Sequence, residues 1–348
     1  MKYTEPEKIL IIRLSSIGDI ILATPLIRIL RNRFPDAEID VLIKSRFQEL
    51  LYTNPHITNL ILLDTNKGRS ELVAARKAAK NRNYDWIVDI HNNFRSRYLV
   101  LGLAGAHFRY KKYRWQRFVL IKLAINLYKS IIPVSDRYIN SLKTMGIEND
   151  HNGTEFFTDP VILDNIHKEL ADLGALDHGQ VICVAPGAGF PTKRWPLEYY
   201  TELVKNLSRS GAVLLVGDDR DKSLTDYIAK DAGENVFDLA GRYSIMQTAC
   251  ILQHADLFIG NDSGLMHLAG ALGKKTLVMF GPTTRELGFF PQQPNAVVLE
   301  NRELGCRPCT HIGSRKCPKK HFKCMLGITP QLVLNEVLEL LKENSIAS

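Results

Sequence analysis

No apolar run in this chain approaches the roughly 18 residues that a membrane-spanning helix requires. Residues 1–7 are polar, and the apolar run that begins at Ile9 is too short for the core of a signal peptide, so no secretory leader is expected. Internal repeats and low-complexity segments are also missing. The sequence therefore predicts a soluble, cytoplasmic protein, and its 348 residues exceed what one hydrophobic core usually serves, which predicts two domains.

Two common nucleotide-binding motifs are incomplete. Residues 187–192 lack the third glycine of the dinucleotide fingerprint, and Pro191 stands where the helix should be starting. Residues 270–276, GALGKKT, have the wrong spacing for a phosphate-binding loop and lead into a strand rather than out of one. These departures argue against a hydride-transfer enzyme and against a kinase or nucleotide hydrolase.

Acidic residues are absent between residues 91 and 132. This segment alternates two kinds of side chain, the cations Arg95, Arg97, Arg109, Lys111, Lys112, Arg114, Arg117, Lys122 and Lys129 and the aromatics Phe94, Tyr98, Phe108, Tyr110, Tyr113, Trp115 and Phe118. Such a pattern suits an anionic membrane surface, an anionic glycolipid or a nucleic acid. A solvated helix face is the alternative, although such faces usually mix both signs of charge.

Strands and helices alternate along both halves of the chain, which predicts an α/β protein built from two Rossmann-like, doubly wound domains. We place the strands at 8–13, 38–43, 60–63, 85–90, 181–185, 213–216, 256–259 and 276–280. Helices are predicted at 18–33, 46–52, 69–81, 114–130, 196–209, 221–232, 244–253, 263–271 and 330–342. The polar stretch NDHNGT marks the hinge. We predict an acceptor domain at 1–160, a nucleotide-sugar donor domain at 161–328 and a C-terminal helix at 329–348 that packs back on the first domain, with the two domains facing across a cleft.

Asp19 is the first candidate catalytic residue. The apolar run Ile9–Ile12 predicts a buried strand, and the small-residue turn after it places Asp19 at the mouth of a helix. Ligands bind open parallel sheets at this position, where strand ends meet helix starts. In the alternative interpretation, Asp19 only complements the positive end of that helix.

Three loops of the second half have the composition of an anion site. Asp262, Ser263 and Gly264 turn from a strand directly into a helix that carries His267. The other two loops carry Gly187, Thr192 and Lys193 in PGAGFPTKRWP, and Gly281 and Thr283 after the next strand. Helix amides and a lysine on a turn can neutralise a departing diphosphate without a metal. The alternatives are that Asp262 is only a helix cap and that His267 is a core histidine.

The chain resembles the lipopolysaccharide heptosyltransferases in four motifs: RLSSIGDIILATP, YDWIVDIHNNFRSR, PGAGFPTKRWP and GNDSGLMHLAGALGKKTLVMFGPT. The resemblance implies the glycosyltransferase B fold, an ADP-heptose donor on the second half and an inner-core lipid A acceptor on the first. It implies no cofactor. It assigns the catalytic aspartate to Asp19, the donor-phosphate lysine to Lys193 and the second acidic turn to Asp262, Ser263, Gly264 and His267. Gly217 and Asp218 fall on the adenine and ribose side, although which acid meets the ribose stays open.

The predicted chemistry is an inverting transfer of heptose. A sugar hydroxyl is a poor nucleophile, so a carboxylate must take its proton as it attacks the anomeric carbon, and Asp19 is the candidate base. The acceptor is expected near Ser16 and Gly18, with Arg95, Arg97, Lys111 and Lys112 on its anionic groups. Lipid A carries phosphates and acyl chains, so the basic aromatic segment predicts peripheral binding at the inner face of the bacterial inner membrane.

Four cysteines cluster near the C-terminus, Cys306, Cys309, Cys317 and Cys324. The spacing of the first pair is that of zinc ligands, so a structural zinc site is one interpretation and reduced structural thiols are the other.

Two other functions also remain open. A related transferase with another nucleotide sugar or a protein acceptor would keep every motif. A basic nucleic-acid-binding protein would leave Asp19 and the three loops without a role. The sequence decides neither which inner-core heptose is added nor the oligomeric state.

Overall fold

The computed structural model describes residues 5–345, with side chains described to residue 342. The chain divides into two compact units. The first contains the residues up to 112 together with 132–157, and the second contains 113–131 and the residues from 158 onward. The basic aromatic segment is therefore shared between the units, because its first part belongs to one and residues 113–131 belong to the other.

Each unit is built on a parallel sheet. The first sheet contains β1 (Lys8–Ile12), β2 (Glu38–Lys44), β3 (Asn59–Leu63), β4 (Trp86–Asp89) and β5 (Ala106–Arg109). The second contains β6 (Val181–Ala185), β7 (Ala212–Leu215), β8 (Val236–Asp238), β9 (Leu257–Asn261), β10 (Lys275–Phe280) and β11 (Ala296–Glu300). Every neighbouring pair that is described runs parallel.

The helices of the first part of the chain are α1 (Ile17–Ile21), α2 (Thr24–Arg33), α3 (Gly68–Asn81), α4 (Phe94–Leu99), α5 (Arg114–Leu123) and α6 (Val134–Ile139). Those that follow are α7 (Pro160–Asp172), α8 (Leu197–Leu207), α9 (Lys222–Ala229), α10 (Ile245–Gln253), α11 (Gly264–Ala271), α12 (Lys323–Leu326) and α13 (Pro330–Ser345). Short 3-10 helices lie at Ser45–Leu50, Thr65–Lys67, Asn140–Met145, Pro191–Lys193 and Arg285–Leu287.

Strand order locates the functional edge of each sheet. In the described residues the orders are β3-β2-β1-β4-β5 and β11-β10-β9-β6-β7-β8. Both are the Rossmann order, which reverses direction between β1 and β4 in the first unit and between β6 and β9 in the second. Ligands of such sheets bind at the carboxyl ends of the strands beside that reversal. We therefore expect the functional residues in the turns after β1, β4, β6 and β9.

The buried strands explain why the sequence pattern was readable. Ile9–Ile12 of β1 are fully buried, as expected for a parallel strand covered on both faces.

The predicted helix at 18–33 is instead two helices, since α1 ends at Ile21 and α2 begins at Thr24. Pro25 fits the first turn of α2 because the backbone N–H that proline lacks would have no partner there within the helix.

The C-terminal helix packs within the second unit. The buried residues of α13, Val333, Val337, Leu340 and Leu341, belong to the hydrophobic core of the second unit, where the helix packs beside α8 and β10. That this segment packs back on the first domain stays a prediction. Residues 346–348 of the predicted segment lie outside the described residues.

The helices also bear on membrane insertion. Within residues 5–345, none combines the length and the hydropathy needed to cross a bilayer.

Candidate active site

Asp19 lies in α1, directly beyond the carboxyl end of β1. Its Oδ1 is 2.5 Å from Nη2 of Arg13, and its Oδ2 accepts hydrogen bonds from the hydroxyl (2.7 Å) and the backbone N–H (3.2 Å) of Ser16. The hydroxyl of Tyr138 donates to Oδ1 at 3.3 Å. Although these groups surround it, the Asp19 side chain keeps 19 % of its surface exposed. The carboxylate is thus fixed in place and still accessible.

The charges around Asp19 keep it ionised. Burial would raise the pKa of this carboxyl, but the Arg13 charge and the Ser16 hydrogen bonds outweigh burial, and the pKa is lowered. Arg13 is itself buried, donates to the carbonyl of Ile90 after β4 (2.6 Å) and lies over the ring of Tyr138. Arg13 therefore ties the turns after β1 and β4 together at the point where the strand order reverses.

His91 stands on the other side of that reversal, after β4. Burial, assisted by the charges of Arg13 and Lys112, lowers its pKa to about 3, so the imidazole is neutral at physiological pH. Its Nε2 lies 2.7 Å from Nδ2 of Asn93, and its buried Nδ1 has no hydrogen-bond partner among the described residues. A neutral His91 therefore adds no charge beside the ion pair of Arg13 and Asp19.

The residues predicted for the acceptor lie at this same edge or near it. Ser16 is the N-cap of α1, and Gly18 is buried in its first turn. Arg95 is exposed at the start of α4, whereas Arg97 donates to Oδ1 of Asn92 at 3.2 Å. Of the two lysines that follow β5, Lys111 is exposed, and Nζ of Lys112 lies 5.6 Å from the ring centre of Tyr110.

In the second unit, residues from two loops contact the carboxylate of Asp262, which belongs to a third loop. Nζ of Lys193 lies 2.6 Å from Oδ2 of Asp262, and the hydroxyl of Thr283 donates to the same oxygen at 2.7 Å. Asp262 is only 5 % exposed. The loops that follow β6, β9 and β10 therefore converge as the sequence predicted, and Asp262 serves to hold the lysine.

The start of α11 completes this group. Ser263, rather than Asp262, is the N-cap, and its hydroxyl is buried with no hydrogen-bond partner among the described residues. Gly264 opens the helix, and His267 is buried one turn further on. An unpaired hydroxyl beside a helix start, whose first amides have no partner within the helix, offers donors that an anion would satisfy.

Asn261, the last residue of β9, joins two of these loops. Its Oδ1 accepts from the backbone N–H of Trp195 at 3.0 Å, and its Nδ2 donates to the carbonyl of Pro186 at 2.9 Å. The amide thus fixes both ends of the loop that carries Lys193 against the turn that carries Asp262.

Gly187, of the loop after β6, and Gly217, predicted for the adenine and ribose side, surround a different carboxylate. A Cβ at Gly187 or at Gly217 would overlap the side chain of Asp221, so a larger residue at either position would displace that carboxylate. Burial raises the pKa of Asp221. Asp218 is more exposed and pairs with Arg220, which lowers its pKa. Asp221 is therefore a second candidate for the ribose beside Asp218.

The six cysteines, all within the described residues, are free thiols, and one of the clustered four lies beside the loop after β10. The backbone N–H of Cys309 donates to the carbonyl of Pro282, between Gly281 and Thr283, at 3.1 Å. Sγ of Cys306 lies 3.8 Å from Nε2 of His321. In the part of the chain that the structure describes, no three His, Cys, Asp or Glu side chains are arranged to hold a metal ion. The zinc interpretation gains no support from this arrangement.

Sequence reasoning missed several residues of these two groups. Arg13 carried a signal, because a charged residue directly after four buried apolar residues needs a partner. Asn261 stood inside the quoted GNDSG turn. Tyr138 and Asp221 gave no local signal, since each reaches its partner through the folding of a separate helix.

This chain is similar to known glycosyltransferases over most of its length. The family model described as "Glycosyltransferase family 9 (heptosyltransferase)" matches residues 72–323. Lipopolysaccharide heptosyltransferase 2 of Salmonella typhimurium strain LT2 is 27% identical over 97% of this chain and 100% of its own length. Among solved structures, a glycosyl transferase family 9 protein from Veillonella parvula has a TM-score of 0.80 at 22% identity, covering 97% of both chains. Escherichia coli ADP-heptose lps heptosyltransferase II has a TM-score of 0.74 at 24% identity, covering 97% of this chain and 99% of that one.

These likenesses confirm the predicted fold class, α/β with two Rossmann-like units of the glycosyltransferase B type. The family match covers most of the chain, including β4 and every loop of the second unit described above. The chain is a glycosyltransferase that belongs to glycosyltransferase family 9, the heptosyltransferases.

Proposed function

We propose that this chain is an inverting heptosyltransferase that moves heptose from ADP-L-glycero-β-D-manno-heptose to the inner core of lipopolysaccharide. The first unit takes the acceptor, and the second takes the donor. The names of the relatives support both substrates, since one is a lipopolysaccharide heptosyltransferase 2 and another an ADP-heptose lps heptosyltransferase II. The proposed mechanism rests on one observation, which is that Asp19 is an ionised and partly exposed carboxylate beyond the end of β1.

Asp19 acts as the general base. An acceptor hydroxyl attacks the anomeric carbon of the heptose, its proton passes to Asp19, and ADP leaves from the opposite face, which inverts the anomeric centre. Because the pKa of Asp19 is lowered, the proton transfers late, when the attacking oxygen has become acidic. Arg13 and Ser16 fix the carboxylate, so no reorganisation is needed at that moment.

The donor diphosphate lies against the loops of the second unit. Lys193, the unpaired hydroxyl of Ser263 and the first amides of α11 supply its counter-charge, and Asp262 with Thr283 keeps the lysine in place. The reaction requires no cofactor, because a lysine and helix amides stabilise the departing diphosphate.

The acceptor and donor are tested together by a transfer assay. The purified chain is incubated with ADP-heptose and either Kdo-lipid A or heptosyl-Kdo-lipid A, and the product is identified by mass. We expect one added heptose, on heptosyl-Kdo-lipid A if the chain adds the second heptose. Transfer from another nucleotide sugar only would show that the proposed donor is wrong, and transfer to protein only would show that the proposed acceptor is wrong. Binding of bulk RNA without affinity for ADP would contradict the proposed function as a whole.

We also propose that the enzyme works as a peripheral protein on the cytoplasmic face of the membrane. In the second unit, α5 and the residues after it expose large apolar side chains, with Trp115 at 67 % and Phe118 at 51 %. Their rings stack with centroids 5.9 Å apart, while Val119 and Leu120 are buried. Exposed cations stand beside them, including Arg114 and Lys122. Apolar rings among cations suit the interface of an anionic bilayer.

Vesicle sedimentation tests the proposed membrane binding. Replacing Trp115 and Phe118 together by serine should weaken binding to anionic phospholipid vesicles, as should Lys111→Glu with Lys112→Glu. Tyr227→Ser is the matched control, because Tyr227 is an equally exposed aromatic (52 %) on α9. Unchanged binding of both double variants, or equal binding of the wild type to neutral vesicles, would contradict the proposal.

A further inference from the structure

The cysteine segment, residues 306–324, has a role that the reaction as described leaves open. It lies between β11 and α12, and apart from the first residues of α12 it forms neither helix nor strand. Its far end is anchored, since Cys324 and Met325 are buried in the core of the second unit. The contacts of its other residues show where it is attached.

Arg307 attaches the segment to the loop after β10. Its guanidinium donates to the carbonyls of Gly281 (2.5 Å) and Thr283 (2.9 Å), and it pairs with Glu300 at 2.9 Å. Further donations go to the carbonyls of Phe280 and Asn301. The side chain is only 4 % exposed, so these bonds are protected from water. One arginine thus holds the backbone on both sides of Pro282.

Thr192 attaches the segment to the other donor loop, one residue before Lys193. Its hydroxyl donates to the carbonyl of Ser314 (2.9 Å) and accepts from the backbone N–H of Ser314 (2.8 Å), and its own N–H donates to that carbonyl (3.2 Å). Thr192 is 4 % exposed. Next to this pairing, Gly313 has φ +103°, and a Cβ there would collide with Phe190, so glycine is required for the approach.

The segment also brings a side chain towards the lysine. Burial and the charges of Arg117 and Lys193 lower the pKa of His311, so the imidazole stays neutral beside the two cations. A neutral ring there does not add a further charge to compete with Lys193.

From these contacts we propose that the cysteine segment is a brace that holds the Lys193 loop and the Thr283 loop in register, with Arg307 and Thr192 as positioning residues for the donor diphosphate. The two loops follow different strands, and the segment bonds to the backbone of both. A diphosphate site needs its donors held within a fraction of an ångström, which loops alone achieve poorly. This inference rests on the proposed donor site, and Thr192 acts through the loop rather than by contact with the donor.

The experiment compares Arg307→Gln with Arg302→Gln in the full chain. Both arginines pair with Glu300, but Arg302 is 66 % exposed, and only Arg307 reaches the loop carbonyls. We expect Arg307→Gln to weaken ADP binding at least tenfold by calorimetry, and to raise KM for the donor while KM for the acceptor stays within twofold. Amide hydrogen exchange should quicken in residues 186–194 and 280–284. Arg302→Gln should match the wild type in all three.

A folded Arg307→Gln with wild-type ADP affinity and unchanged exchange would overturn the brace. Faster exchange in that variant, in an enzyme whose wild type does not bind ADP, would uphold the brace and reject the donor assignment instead. If Arg307→Gln does not fold, Thr192→Val gives the same readouts, with Thr201→Val on α8 as its control. Wild-type behaviour of Thr192→Val would then overturn the proposal.

Discussion

The turns after β1 and β9 each hold an aspartate paired with a cation, and the two pairs differ in which partner is exposed. Each places an aspartate at the reversal point of its sheet, and each gives it a cation at close range, Arg13 at 2.5 Å for Asp19 and Lys193 at 2.6 Å for Asp262. Each carboxylate also accepts a hydrogen bond from a hydroxyl group, that of Ser16 for Asp19 and that of Thr283 for Asp262. The difference lies in exposure, since the Asp19 side chain is 19 % exposed and that of Asp262 only 5 %.

We infer a different role for each pair from the partner that is open to solvent. In the first pair the arginine is buried (7 %) and the carboxylate is the accessible group, which suits a base. In the second pair the carboxylate is buried and the lysine is the more accessible group (14 %), which suits an electrophilic partner for phosphate. An acid at a strand end is therefore insufficient evidence for catalysis until its partner and its exposure are known.

The strongest test of this comparison is Asp19→Asn. The amide keeps the shape of the side chain but cannot take a proton, so we expect kcat to fall by about 10³-fold, within the range of general-base catalysis. ADP affinity should not change, because the donor loops belong to the other unit. The measurements are heptose transfer followed by mass and ADP binding followed by calorimetry.

Asp136→Asn is the matched control for that variant. Asp136 is a partly buried aspartate of α6 in the same unit, bonded to Asn149 rather than to the turn after β1. Its replacement should leave kcat near the wild-type value. Retention of a tenth or more of the turnover by a folded Asp19→Asn would remove Asp19 as the base.

Lys193→Met tests the second pair. Loss of a charged hydrogen-bond donor to the diphosphate should weaken ADP binding by about 10- to 100-fold. The buried Asp262 is then left without its cation, so the variant should also be less stable to heat. Lys205→Met, an exposed lysine on α8, is the control. Equal ADP affinity of the Lys193 and Lys205 variants would show that the lysine does not contact the donor.

The sequence predicted the architecture well where strands are buried on both faces. The central strands β1, β2, β4, β6, β9 and β10 were all predicted within two residues because most of their residues are apolar, although Asp40 interrupts the apolar run of β2. The edge strands β5 and β8 were missed because they are only four and three residues long, and β11 was missed although it has an apolar run from Ala296 to Leu299. Short helices such as α4 and α6 were missed for a similar reason, since they are less than two turns long.

The candidate site was predicted as far as local motifs reach. Asp19, Lys193, Asp262 and Thr283 each follow a predicted strand, and the convergence of the last three is present in the structure. The partners that set their behaviour come from elsewhere in the chain. Tyr138 is 119 residues from Asp19, and no pattern around either residue indicates that they meet.

The pH dependence gives the smallest and finest test, because it asks whether Arg13 controls the charge of Asp19. The pKa of Asp19 is lowered, so the acid limb of kcat/KM should lie below about pH 4, the ordinary range of an aspartate. His91, with a pKa of about 3, should add no limb between pH 5 and 8. The ion pair stabilises the fold at pH values above the unfolded pKa of Asp19, and this contribution is lost as the pH falls through the lowered folded value.

In Arg13→Gln only burial and hydrogen bonds remain to shift the pKa of Asp19, burial being the larger effect, so the acid limb should move to higher pH. Arg28→Gln, which breaks a different ion pair in the same unit, should leave the limb where it is. A wild-type limb near pH 6.5, or one that Arg13→Gln does not move, would mean that the base is not an aspartate held ionised by Arg13.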